Sequence, residues 1–314
     1  MRRKISVIGA GKTGATAAQR LAERNYADIV LFDVVEGLAE GEALDMQEAG
    51  PIVGYDVAIK GVSIRDGVGF EELAGSDIVI MTAGIPRKPG MSRDDLVTTN
   101  QKIMHTWAEA IRRHCPETIL LVLSNPVDAI TQYAWHVTQF PRERVIGQAG
   151  ILDSARFRTF ISMELGISVE NIDAYVLGSH GDLMVPLPRY TTVAGIPVTQ
   201  LIPHARLQEI VQRTRDGGAE IVKLLKTGSA FYAPSAALAE MVDAIVHDKK
   251  KILPCTVLLE GEYGMKGVFA GVPVVLGARG VERIVEWELS ESERAELLKS
   301  AAAVQELLKV MGIG

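Results

Sequence analysis

The chain has 314 residues, 47% hydrophobic and 23% charged, which is enough to bury a substantial core in about two structural units. The net charge of −6 leaves no basic footprint for nucleic acid, so any positive field around an anionic substrate must be local. No run approaches ~18 uninterrupted apolar residues, so no membrane span is expected. Cys115 and Cys255 are far apart and form no CxxC, which argues against a disulfide framework or a zinc site and fits a reducing, cytoplasmic compartment. The basic start Arg2-Arg3-Lys4 mimics a signal peptide, but Gly9, Gly11 and Lys12 interrupt the apolar stretch that follows.

Residues 4–8 form a short strand-like run. Next comes Gly9-Ala10-Gly11-Lys12-Thr13-Gly14, then a helix-permissive stretch to Arg24 and a second apolar run over 29–32 that ends at Asp33. Strand, glycine turn, helix, strand and acid in this order match the dinucleotide fingerprint. Gly9 permits the tight turn, Gly11 lets a pyrophosphate approach the backbone, and Gly14 lets the helix pack against the strand. Helix N–H groups then hold the phosphates. Asp33 can accept from both ribose hydroxyls and would repel a 2′-phosphate, which favours NAD over NADP. Gly11-Lys12-Thr13 is not a P-loop, because Ser6 stands where that motif needs its first glycine.

Further strands are expected over 56–59, 77–81 and 118–123, and helices over 37–47, 100–114 and 128–137. The alternation predicts an α/β fold, with an N-terminal Rossmann doubly wound parallel sheet. Ligands bind such sheets at the carboxyl ends of the strands. There lie Thr82-Ala83-Gly84 and the Leu123-Ser124-Asn125 turn. Asn125 can hydrogen-bond a ribose or a substrate oxygen, or simply start an Asn-Pro turn; Asn100, at an expected helix start, can be an N-cap. Residues 82–96 read as a loop, broken by Gly84, Pro86, Pro89 and Gly90. The loop carries Arg87 and Arg93, whose forked donors suit planar carboxylates, and this suggests a lid over an anionic substrate.

A last parallel strand is expected over 144–147, and a helix from about Leu152 to Leu165 puts Asp153 and Arg156 on one face. An apolar run over 174–177 leads into Gly178-Ser179-His180-Gly181-Asp182, where flanking glycines expose the histidine to a cleft. No histidine lies in a metal-binding pattern. Helices follow over 203–227, with a bend at Gly217-Gly218, and over 235–247. Antiparallel strands follow over 252–260 and 268–276, and Ser290 with Glu293 forms a capping box for a helix to about Met311.

The ordered set of Gly9–Gly14, Asp33, the Arg87/Arg93 loop, Ser124-Asn125-Pro126-Val127-Asp128, Leu152–Phe157 and Gly178–Asp182 resembles the lactate and malate dehydrogenases end to end. AGIPRKPGMSRDDL and GSAFYAPSA resemble the lactate dehydrogenase-like branch of the malate dehydrogenases, and the position of Arg87 is typically glutamine in lactate dehydrogenases. The resemblance implies a Rossmann NAD-binding domain over 1–149 and a C-terminal α+β substrate domain over 150–314. It implies malate and oxaloacetate as substrates, NAD as cofactor, no metal, and a homodimer or homotetramer. It also implies that His180 is the proton donor and acceptor, oriented by Asp153. Arg156 would clamp the C1 carboxylate, Arg93 polarise the carbonyl, and Arg87 read the second carboxylate. Asn125 would contact substrate and cofactor. Gly9, Ala10, Gly11, Lys12, Thr13, Gly14, Asp33, Asn100, Leu123 and Ser124 would contact NAD. The competing readings are a lactate dehydrogenase, which Arg87 opposes, an NAD- and metal-dependent glycosidase, which lacks its cysteine motif here, and a non-catalytic NAD-binding module.

Overall fold

The computed structural model describes residues 2–85 and 93–313, with the side chain of Arg93 not described. Arg87 lies outside the described residues. Strand β1 (Arg3–Ile8) is followed by α1 (Lys12–Glu23), β2 (Ala27–Asp33), α2 (Leu38–Val53) and β3 (Ile59–Ser63). The chain then returns to the centre with β4 (Ile78–Met81), α3 (Arg93–His114), β5 (Ile119–Val122), α4 (Val127–Thr138) and β6 (Val145–Gln148). These six strands are parallel in the order β3-β2-β1-β4-β5-β6. Right-handed crossovers that run outward from β1 in both directions put α1 and α2 on one face and α3 and α4 on the other. Both faces are therefore covered. The central strands β4 and β5 are continuous apolar runs, buried along their whole length.

The sheet does not stop at β6. After α5 (Gly150–Leu165) come the short strands β7 (Ile172–Asp173), β8 (Val176–Leu177), β9 (Val185–Pro186), β10 (Thr192–Val193) and β11 (Ile196–Pro197). They form two small sheets of three and two strands. Helices α6 (Val198–Leu201), α7 (His204–Leu225) and α8 (Tyr232–Val246) lead to β12 (Lys251–Glu260), β13 (Lys266–Gly277), β14 (Gly280–Ile284) and α9 (Glu291–Val310). Strand β12 pairs antiparallel with β6 through Cys255↔Gln148 and Thr256↔Gly147. Nine strands thus form one sheet. A second, smaller core of Phe157, Ile161, Ile172, Val176, Val193 and Leu207 lies among α5, α7 and the short strands.

Several boundaries differ from the sequence reading. The expected strand over 56–59 starts later, at Ile59. The N–H groups of Asp56 and Ala58 bond to the side chains of Asn25 and Asp28, and ladder pairing with β2 begins at Ile29↔Ile59. Helix α2 extends to Val53 and ends at Gly54, whose φ of 98° is the left-handed stop that glycine accepts. The loop expected over 82–96 is helical from Arg93, so Asn100 lies inside α3 and is not its N-cap. Helix α7 runs unbroken through Gly217 and Gly218. Strand β14 had no expected counterpart. The capping box is present: Ser290 Oγ accepts the Glu293 N–H at 3.2 Å and the Glu293 carboxylate accepts the Ser290 N–H at 2.8 Å.

Candidate active site

The glycine turn joins β1 to α1. Gly9 has φ +99°, and a Cβ there would lie 2.8 Å from Ala83 N, so both backbone conformation and crowding require glycine. A Cβ on Gly14 would lie 1.8 Å from Gly9 O, an impossible contact. Gly11 is different. It stands at the start of α1 in extended conformation, and a Cβ there would meet nothing within 4 Å. The protein itself does not require glycine at this position, whereas a phosphate approaching the backbone at the helix N-terminus does. Ala10 is buried, Thr13 half-buried and Lys12 exposed, with its Nζ 5.4 Å from the Phe231 ring centroid. Asp33, at the end of β2, accepts the Ala10 N–H at 2.7 Å and the Val35 N–H at 2.9 Å. One carboxylate therefore stiffens the turn while standing where a ribose would lie. This turn fits a dinucleotide.

The neighbouring strand ends are tied to it. Thr82 Oγ1 donates to Ile8 O at 2.9 Å, and Ser124 Oγ donates to Ala83 O at 2.5 Å. Leu123, half-buried, donates its N–H to Met81 O at 2.9 Å. Asn100 is 1% exposed: its Oδ1 accepts the Ile85 N–H at 2.8 Å and its Nδ2 donates to Asn125 O at 2.6 Å and Ile85 O at 3.2 Å. The amide is thus engaged with backbone and braces the ends of β4 and β5 against each other. Asn125 itself is exposed at the same edge.

Helix α5 starts two residues beyond the carboxyl end of β6 and brings Asp153 and Arg156 to one face. His180 Nδ1 donates to Asp153 Oδ2 at 3.0 Å, which leaves Nε2 for a substrate. Arg156 Nη1 donates to the other carboxylate oxygen, Oδ1, at 3.3 Å. The Asp153 side chain is 2% exposed, that of Arg156 11% and that of His180 23%, so the pair is buried and only the imidazole opens outward. Burial pulls the His180 pKa down, but the charge and hydrogen bond of Asp153 outweigh it and leave the imidazole above its ordinary value. Burial lowers the Arg156 pKa against the pull of Asp153, and a guanidinium remains cationic regardless. Its Nε is buried without a partner.

Three residues not singled out from sequence hold the histidine turn by its backbone. Asp128 Oδ2 accepts the His180 N–H at 3.1 Å, and Asp128 Oδ1 accepts from Thr256 Oγ1 at 2.7 Å. Burial pushes the Asp128 carboxyl up to about 6, against the hydrogen bonds from Thr256 and His180. Ser300 Oγ of α9 accepts the Ser179 N–H at 2.6 Å, and the Gly178 N–H donates to Gly271 O at 2.8 Å. Asp128 closes the Ser124–Asp128 run, yet nothing local marks it as facing a residue 52 positions away.

A dinucleotide-fitting turn at the carboxyl end of β1 and a carboxylate-backed histidine beside a buried arginine, with the acid and the arginine on the helix that follows β6, define a dehydrogenase of small carboxylates. Residues 3–147 match the family model for the lactate/malate dehydrogenase NAD-binding domain, and 151–311 that for the lactate/malate dehydrogenase α/β C-terminal domain. The chain belongs to the lactate/malate dehydrogenase family. It is 54% identical over 311 residues to a malate dehydrogenase of Thermomicrobium roseum, covering 99% of each chain. Among solved structures it is similar to the apo malate dehydrogenase of Picrophilus torridus, with TM-score 0.96, 47% identity and coverage of 99% and 97%. It is also similar to a Cryptosporidium parvum lactate dehydrogenase solved with lactic acid and nicotinamide adenine dinucleotide, with TM-score 0.95, 37% identity and coverage of 100% and 99%.

Proposed function

We propose that this protein is an NAD-dependent malate dehydrogenase that interconverts (S)-malate and oxaloacetate. The observation that carries the chemistry is the His180–Asp153 hydrogen bond beside Arg156. The malate side of the reading is supported by full-length similarity to proteins named malate dehydrogenase. NAD, when bound at the glycine turn, supplies or accepts the hydride.

The rest of the work belongs to this chain. His180 Nε2 accepts the C2 hydroxyl proton of malate, and as imidazolium returns it to the carbonyl oxygen of oxaloacetate. Asp153 holds the imidazole in the tautomer with Nδ1 protonated and stabilises the imidazolium. Arg156 binds the C1 carboxylate with its forked donors. By the family resemblance, Arg93 would polarise the carbonyl and Arg87 would read the second carboxylate, with Asn125 beside both substrate and cofactor.

The assignment places the enzyme at the malate–oxaloacetate step of the tricarboxylic acid cycle, in the cytoplasm, as a homodimer or homotetramer. The buried free thiols of Cys115 and Cys255 support a reducing compartment. No helix among the described residues is long and apolar enough to cross a membrane. The test follows absorbance at the nicotinamide band with oxaloacetate and pyruvate in parallel. Rapid NADH oxidation with oxaloacetate and slow oxidation with pyruvate are expected; the reverse preference overturns the reading. His180→Ala should lower turnover by on the order of 10²–10⁴-fold while NADH binding stays intact.

A further inference from the structure

Helix α7 carries two adjacent glycines near its middle, Gly217 and Gly218. Glycine is a poor residue for a helix interior, because ordering it removes the most backbone freedom. Two in succession call for a local reason, and the neighbour they face supplies one. A Cβ on Gly217 would lie 2.9 Å from Arg156 Cδ and 3.4 Å from its Nε, closer than side chains tolerate without moving. A Cβ on Gly218 would lie 3.5 Å from Arg156 Nη2 and 3.9 Å from Cζ. The arginine stem therefore rests in a notch that only Gly217 leaves open, and its guanidinium runs past Gly218. Arg156 Nε is buried without a hydrogen-bond partner among the described residues, so this notch and the Nη1 bond to Asp153 set the path of the stem.

The same helix reaches the histidine turn. Arg215 Nε donates to Met184 O at 3.2 Å, and Arg215 Nη2 donates to Glu296 of α9 at 2.7 Å. The Met184 N–H in turn donates to Gly181 O at 3.0 Å, in the turn that carries His180. One segment of α7 thus touches the elements that hold both the anion clamp and the acid–base group.

We propose that Gly217 is a positioning residue that, with Gly218 in ordinary contact beside it, sets the reach of the Arg156 guanidinium relative to His180, and with it the fit of a 2-keto carboxylate. The inference rests on the dehydrogenase reading above and adds to it the determinant of where the carboxylate is held. The three atoms nearest a methyl group at 217 all belong to the Arg156 side chain, so the arginine stem is what it displaces.

The test is Gly217→Ala, assayed for oxaloacetate reduction. Because the carboxylate is clamped in both ground and transition states, KM should rise ~10–100-fold while kcat changes less than about 3-fold. NADH affinity should stay within about 2-fold, and the melting temperature should change little, since alanine's preference for the helix opposes the cost of moving the arginine stem. In an Arg156→Ala background the same substitution should change kcat/KM less than about 2-fold, because its target is gone. An unchanged KM in folded, NADH-binding Gly217→Ala overturns the proposal, as does an equal penalty in both backgrounds. Should Gly217→Ala fail to fold, Gly218→Leu brings bulk to the guanidinium from a half-buried position, and an unchanged KM there is equally decisive. Wild-type protein that does not reduce oxaloacetate overturns the functional reading itself, so the two failures are distinguishable.

Discussion

Asp128 holds His180 by its backbone, not by its side chain: the carboxylate of α4 accepts the His180 N–H at 3.1 Å while Thr256 donates to its other oxygen at 2.7 Å. Three segments remote in sequence therefore converge on one buried carboxylate. Asp128→Ala strands the His180 N–H and the Thr256 hydroxyl, each an unsatisfied buried donor costing ~1–3 kcal/mol. We expect a loss of about 2–4 kcal/mol in stability by denaturant titration, together with slower turnover because the imidazole is no longer fixed against Asp153. Unaltered stability would show that the turn is held by Ser300 and Gly271 alone.

The raised His180 pKa sets opposite pH dependences for the two directions. Oxaloacetate reduction needs the imidazolium, so kcat/KM should be highest below the His180 pKa and fall as pH rises through it. Malate oxidation needs the neutral imidazole and should rise with pH through the same point. That point should lie above the ordinary ~6.5, because Asp153 more than offsets burial. Asp153→Asn removes the carboxylate charge and should move both limbs to lower pH. Profiles that coincide for wild type and variant would refute this electrostatic role for Asp153.

The glycine turn separates a packing glycine from a ligand glycine. Gly14→Ala forces a Cβ onto Gly9 O and should destabilise the fold by several kcal/mol, on the order of other severe overpacking substitutions. Gly11→Ala meets no protein atom, so the melting temperature should not move while NADH affinity falls about 10-fold or more. Isothermal titration of NADH with matched thermal scans distinguishes the two. Asp33→Ser should weaken NADH and narrow the bias against NADPH; wild-type use of both cofactors would remove Asp33 as the discriminator.

We propose that Arg87 sets the choice of substrate. Oxaloacetate carries one more carboxylate than pyruvate, and an ion in a closed, partly dry site needs a partner. Arg87→Gln should lower kcat/KM for oxaloacetate by roughly 30-fold or more, the ~2–5 kcal/mol typical of a truncated buried pair, and raise it for pyruvate. Arg93→Gln should slow both substrates, because the carbonyl is common to both. A preference ratio that does not move in Arg87→Gln would assign malate specificity elsewhere.

Much of this protein is legible in its sequence because its signals are local. The spacing of Gly9, Gly11 and Gly14, the acid Asp33 after the next apolar run, and the Ser290–Glu293 capping box each act within a few residues or one βαβ unit, where chain geometry alone dictates the outcome. The glycines around His180 likewise mark a turn without reference to the rest of the chain. Tertiary structure alone decided what no short-range pattern encodes. The register of β3 follows from its pairing with β2, not from its own apolar residues. Strand β12 joins the edge of β6 across more than a hundred residues of intervening chain, which makes one sheet out of two halves of the sequence. Asp128 reads as one more helical acid until α4, β12 and the His180 turn are packed together. Gly217 and Gly218 read as a bend in a long helix, but the structure uses them to leave room for the Arg156 stem beside an unbroken α7. In each case the deciding contact joins segments distant in sequence, and its free energy comes from burial and pairing that exist only once those segments have met.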